Sequence, residues 1–216
     1  MIFKDRRDAG RMLAEHLMGY RHNSIVLAIP RGGVPVGYEV SRRLGVPLDL
    51  IIPRKLPIPS DPEAGFGAVA PDGTVVLNER LVAYLGLSVK DIEAIVADVL
   101  KEVRRRIREY RGDKPLPDLK GKNAIIVDDG LASGYTMIAA VRAVRKERPR
   151  RVIVAVPCSP ETSVERLEKE ADEVICLRVQ RYGPFAVASH YESFPDLSDE
   201  EVKGLLHTSL QQKNEK

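Results

Sequence analysis

Long apolar runs are missing from this chain. None approaches the roughly 18 residues that a membrane-spanning helix needs, and the opening stretch MIFKDRRDAG holds no signal-peptide core. A cytoplasmic protein is expected. Cysteine is scarce: Cys158 and Cys176 lie in strand-like apolar segments and lack metal-ligand spacing. They read as buried free thiols, with a disulfide as the lesser alternative. Strong charge of one sign is also missing. The net charge is +3 and acids are interspersed with the arginines, which is no nucleic-acid footprint. There is no internal repeat, and the one biased segment is the closing QQKNEK, 211–216, a polar tail expected to fray.

What is present is ordinary globular material, 44% apolar and 30% charged. At 216 residues the chain can bury one good core, so a single domain is expected over 1–210. Abundant Arg, Lys and Glu with few Asn and Gln is a composition met in thermophiles.

Residues 5–20 place Ala9, Met12, Leu13, His16, Leu17 and Tyr20 on one helical face. SIVLAI (24–29) is a continuous apolar strand that ends at PRGGVPVG, and a helix to Leu44 and the strand LDLII (48–52) follow. GAVAPDGTVVLN (67–78) carries an Asp72-Gly73 turn between β-prone runs, a hairpin signal. Ser88 and Asp91 make a capping box for a long helix to Tyr110. Its arginines, Arg104 to Arg106 and Arg108, fall mostly on the polar face, which predicts solvation. From 123 onward strands and helices alternate, and fully apolar strands predict a parallel sheet covered on both faces. Ligands of such sheets gather at the carboxyl ends of the strands.

The decisive stretch is AIIVDDGLASGYTM, 124–137. Small residues ahead of a helix cradle a phosphate on free N–H groups, and Ser133 and Thr136 add hydroxyls. A Walker A loop is excluded because its lysine is absent. Asp128 and Asp129 would repel a bare polyphosphate. As pure acceptors they suit a vicinal diol, so a sugar phosphate such as ribose 5-phosphate meets both halves of the motif. The competing reading is that the two acids only cap the following turn.

This stretch resembles the binding motif of the type I phosphoribosyltransferases for 5-phosphoribosyl 1-pyrophosphate (PRPP): an apolar strand, two acids and a small-residue loop ending in Gly-x-Thr. The resemblance covers about 20–180 and implies a parallel twisted α/β sheet flanked by helices, a flexible β-hairpin lid, an inserted long helix at 88–110 and a small C-terminal hood near 178–205. It assigns Asp128 and Asp129 to the ribose 2′ and 3′ hydroxyls and to Mg²⁺, directly or through water. Leu131, Ala132, Ser133, Gly134, Tyr135 and Thr136 take the 5′-phosphate. PRGGVPVG is similar to the family's pyrophosphate loop, often built on a non-proline cis peptide, with Arg31, Gly32 and Gly33. PRKLPIPSDPEAGFGAV is similar to its basic loop and lid, with Arg54 and Lys55 on the pyrophosphate and Glu63 in the lid. For Arg54 and Lys55 plain surface charge is the alternative.

The implied activity is Mg²⁺-dependent transfer of the 5-phosphoribosyl group between PRPP and a nitrogenous base, in a homodimer. Enzymes acting on 6-oxopurines carry a third acid at the position of Ala132, so the loop is closer to adenine or orotate enzymes. Tyr182, Phe185 and Tyr191, with Phe194, are candidates to stack on the acceptor in the hood, or equally to form its core. Ser198 and Glu201 predict a capping box for a last helix. The rival function is a non-catalytic PRPP or nucleotide sensor that binds nucleic acid through basic stretches at 101–111 and 142–151. A phosphorylated receiver domain is rejected, because its acidic pair follows the first strand.

Overall fold

The computed structural model describes residues 2–59, 61–112 and 114–214, with backbone alone at 62, 63 and 210–214. Five strands form the main sheet: β1 (Ser24–Ala28), β2 (Leu48–Leu50), β6 (Asn123–Val127), β7 (Arg151–Pro160) and β8 (Glu173–Gln180). Their order is β2-β1-β6-β7-β8, and every pair is parallel. Each strand must therefore return over a face of the sheet. The crossovers are α2 (Gly33–Leu44), α5 (Tyr135–Lys146) and α6 (Glu161–Leu167).

The uninterrupted apolar strands follow from burial on both sides. Leu27, Ala124, Ile126 and Val154 face α5 in one core. Val26, Ala28, Ile125, Val127 and Ile153 face the other way, onto Leu13 of α1 (Arg6–His16) and Val36 and Val40 of α2. Val202 of α7 (Asp199–Asn214) completes that second layer. His16, at the edge of that apolar face, keeps its ring in solvent. It is exposed and its ring nitrogen meets the Met12 carbonyl at 3.2 Å.

Between β2 and β6 the chain builds a second, antiparallel sheet of β3 (Arg54–Ile58), β4 (Asp61–Val69) and β5 (Val75–Leu77). The predicted 67–78 hairpin is its β4–β5 half, with Gly73 at φ 85° in the turn. The expected lid, around Pro59 to Gly67, is the β3–β4 hairpin, and the Glu63 side chain lies outside the described residues. A short helix, α3 (Glu79–Leu85), escaped the sequence reading although Asn78 caps its start and Gly86 ends it at φ 64°. The long helix α4 (Val89–Arg111) begins at the predicted Ser88–Asp91 capping box. Its Val99 and Val103 pack on Leu56 and Phe66 of the small sheet. Ser198 and Glu201 cap α7, which continues into the segment read as a polar tail. No helix among the described residues is long and apolar enough to cross a membrane. Cys158 is buried, Cys176 is half-buried, and both are free thiols.

Candidate functional site

In a sheet of this order the first crossover turns one way from β1 and the rest turn the other. The loops after β1 and β6 therefore part and leave a crevice at their carboxyl ends. A cleft of about 550 Å³ lies there. Its walls are Pro30 after β1, Pro53 to Lys55 where β3 begins, Gly65 and Gly67 of the hairpin, Asp128, and the loop from Gly130 into α5.

That loop is shaped from behind. Ser163 of α6 donates its hydroxyl to the Ala132 carbonyl at 2.6 Å, and Arg166 donates to the Ser133 carbonyl at 3.0 Å. Carbonyl oxygens that would repel an anion are thus engaged by α6. Gly134, at φ 81°, turns the chain into α5 with no side chain capping the helix. A helix start left uncapped offers its first N–H groups and the positive end of its dipole to an anion. Leu131 to Thr136, the residues predicted for a phosphate, all line the cleft.

The two acids part company. Asp128 lines the cleft, and its Oδ1 accepts the Asp129 backbone N–H at 2.8 Å. Burial pushes its carboxyl well above the usual carboxylate range, and the neighbouring Asp129 charge adds to the rise. Asp129 turns to Arg6 instead, whose Nε donates to Oδ2 at 2.8 Å. Burial raises the Asp129 carboxyl as well, against the pull of Arg6. A joint role for both acids toward one diol was expected, and in this conformation Asp128 alone borders the cleft.

Gly32 and Gly33 were expected to approach a ligand, but they approach the acids. A Cβ on Gly32 would stand 2.0 Å from Asp129 Oδ2, and one on Gly33 would stand 2.7 Å from the Val127 carbonyl oxygen. The Pro30–Arg31 peptide is cis, as the resemblance suggested. Arg31 is outside the cleft wall and sits 3.8 Å from Asp199 of α7.

The cationic side of the cleft holds Arg54, Lys55 and a residue the sequence reading set aside, Arg106 of α4. The arginine run on α4 is not uniformly solvated. Arg105 is exposed and pairs with Glu102 and Glu109, whereas Arg106 turns in with 21% of its side chain accessible. The signal lay in the spacing, because Arg106 follows the buried Val103 by three residues and so flanks the apolar stripe. Burial, then the nearby Arg106, lowers the Arg54 guanidinium below its usual range. Glu102 opposes this from 3.7 Å. Hydrogen bonds from Arg105, then Arg106, hold the Glu102 carboxyl down at about 2.

In the hood the core alternative holds for Tyr191. Tyr191 offers no free face for stacking. It is buried between Phe3 and Phe194, with ring centroids at 5.4 and 4.9 Å, and its hydroxyl donates to the Asp129 carbonyl at 2.6 Å. Tyr182 is exposed and Phe185 lies against the His190 ring at 5.0 Å. The part that the N-terminal segment plays beside the site was missed. Phe3 exchanges backbone hydrogen bonds with His190 and Glu192, and the Arg6 guanidinium lies 3.6 Å over Phe194 while donating to the Pro195 carbonyl. No local motif marks such a long-range pairing.

A doubly wound α/β domain with an uncapped helix start and an adjoining acid at its switch point is the class that this fold and site define. The phosphoribosyl transferase domain family matches residues 69–192. A Mycobacterium tuberculosis (strain H37Rv) protein carried by name only as a phosphoribosyl transferase is 41% identical over 206 residues, 95% of this chain and 46% of that protein. The chain thus spans about half the length of the curated relatives it matches. The crystal structure of TT1426 from Thermus thermophilus is 41% identical, with a TM-score of 0.78 over 95% of this chain and 98% of that one. An orotate phosphoribosyltransferase of Methanopyrus kandleri is 31% identical over 80 residues, 37% of this chain and 43% of that protein. The chain belongs to the phosphoribosyl transferase domain family.

Proposed function

We propose that the domain is a phosphoribosyltransferase that moves the 5-phosphoribosyl group between PRPP and a nitrogenous base, releasing or taking up pyrophosphate. One observation carries the reading: the uncapped start of α5, the Asp128 carboxylate and the Arg54–Lys55 cations border a single cleft. Phosphate, sugar hydroxyls and pyrophosphate each meet their complement there. The volume is that of an ordinary small-molecule site.

Backbone N–H groups from Ala132 to Thr136 hold the 5′-phosphate and fix the ribose, whereas the Leu131 N–H is already given to the Cys158 carbonyl. Asp128 accepts hydrogen bonds from the hydroxyls. The bond from C1 to the pyrophosphate oxygen breaks as the acceptor nitrogen bonds to C1, so no protein nucleophile is needed. Arg54 and Lys55 stabilise charge building on the leaving pyrophosphate. The hairpin of β3 and β4 excludes water. Mg²⁺ fits this donor set, since one buried carboxylate beside substrate phosphates is how that ion is commonly held. It would be held by Asp128, with Asp129 behind it, and would supply further charge neutralisation. The acceptor is a base without need of the third loop acid, whose position Ala132 occupies. The basic stretches that would serve a nucleic-acid regulator are largely ion-paired, Arg105 to Glu102 and Glu109, Arg142 to Glu170 and Arg145 to Asp172.

Calorimetric titration of PRPP with Mg²⁺ into wild type and Asp128→Asn tests the reading. Deleting a charged hydrogen-bond acceptor should weaken binding by about 10- to 100-fold. A folded wild type that takes up no PRPP would end the assignment.

A further inference from the structure

We infer that Arg106, on the inserted helix α4, is a pyrophosphate-binding residue of this site. The inference rests on the phosphoribosyltransferase reading and deepens it. It places part of the anion-binding apparatus on an element outside the parallel sheet and outside both strand-end loops.

Val99 and Val103 fasten α4 to Leu56 and Phe66 of the small sheet. That fixes the rotation of the helix and sends Arg106, three residues on, toward the cleft where Arg54 and Lys55 also stand. Among the described residues only its Nε has a hydrogen-bond acceptor, Glu102 at 3.1 Å. Glu102 already accepts from Nε and Nη2 of Arg105, at 2.7 and 2.9 Å. The Nη groups of Arg106 therefore remain as a planar fork of donors, the geometry that suits phosphate oxygens. Like charges crowded at a cleft are costly without an anion, and the Arg54 guanidinium is lowered by burial first and by Arg106 next. A doubly charged phosphate group relieves it. The uncapped helix of the cup serves the other phosphate, since α5 and α4 pack on opposite faces of the small sheet, α5 against Ala68 and Val76 and α4 against Leu56 and Phe66. Arg106 should thus act on the pyrophosphate end alone.

The test measures inorganic pyrophosphate with Mg²⁺ and, separately, ribose 5-phosphate, by calorimetry on wild type, Arg106→Gln and Arg106→Lys. Arg106→Gln should weaken pyrophosphate by about 10-fold or more, the scale of a lost charge-assisted hydrogen bond, and leave ribose 5-phosphate within about 2-fold of wild type. Arg106→Lys keeps the charge without the fork and should fall between; it carries the test if the Gln variant does not fold. Unchanged pyrophosphate binding, or equal loss of both ligands, would overturn the inference while sparing the phosphoribosyltransferase reading. A wild type that binds ribose 5-phosphate and not pyrophosphate would overturn it too. A folded wild type that binds neither ligand overturns both.

Discussion

The two sides of the cleft are built by different means. On one side the cup from Gly130 to Thr136 is main chain: an uncapped helix start, a glycine at φ 81°, and carbonyls drawn back by Ser163 and Arg166. On the other, Arg54, Lys55 and Arg106 come from β3 and α4, which are far apart in sequence and meet through the packing of Val99 and Val103 on the small sheet. A main-chain site leaves a contiguous trace in the sequence. A site made by side chains converging from separate elements leaves only scattered arginines.

The sharpest way to break the contrast is behind Asp128, where Gly33 meets the end of β6. Gly33→Ala would put a Cβ 2.7 Å from the Val127 carbonyl and 2.9 Å from the Asp128 Cα. Neither is a flexible side-chain end, so backbone must shift. A cost of about 3 kcal/mol is expected, the upper end for overpacking, and a fall in Tm of roughly 6–12 °C for a domain of this size. A variant that melts with wild type would mean that the backbone behind Asp128 yields and that the glycine pair is only a turn.

The strand-loop-helix around Asp128 was legible because its parts are local. An apolar β6, two acids and a small-residue loop before α5 each obey short-range rules, and the Asp72-Gly73 turn and the Ser88 capping box did likewise. The roles of Arg6, Phe3, Arg106 and Tyr191 were not legible. Arg6 reaches an acid more than a hundred positions away, and nothing near Arg6 in the sequence announces a partner. For Tyr191 the choice between stacking face and hood core stayed open, because aromatic composition does not say which way a ring is buried. For Arg106 the helical register was available, but a run of four cations in five positions reads first as a solvated face.

A smaller effect separates function from stability at Asp128. Its carboxyl is raised in the folded state by burial and by Asp129. A raised carboxyl leaves stability intact below the unfolded value near 3.9 and withdraws it as pH rises through the folded value. Asp128→Asn keeps an oxygen for the Asp129 N–H and removes the charge. Without ligand or Mg²⁺, the variant should melt about 2–4 °C above wild type at pH 7, the equivalent of about 1 kcal/mol. The gap should close as pH falls toward about 4. A variant that melts at or below wild type at pH 7 would show that the acid is not held at a cost.

The smallest effect should come from the one side chain that looks most like a phosphate ligand in the sequence. Ser133 supplies a hydroxyl to the cup, yet the shape of the loop does not depend on it. Arg166 holds the Ser133 carbonyl, Ser163 holds its neighbour, and Leu131 donates its N–H to the Cys158 carbonyl at 3.0 Å. If the main chain supplies the donors, Ser133→Ala loses one neutral hydrogen bond at most. Ribose 5-phosphate affinity should then fall about 3-fold, roughly 0.6 kcal/mol, near the low end for such a bond. A loss of about 100-fold would place the hydroxyl among the principal donors, and the cup would then be a side-chain site like the cationic wall opposite. The difference in size between the Ser133 and Arg106 effects, each read on its own phosphate, measures how far the two sides of one cleft differ in construction.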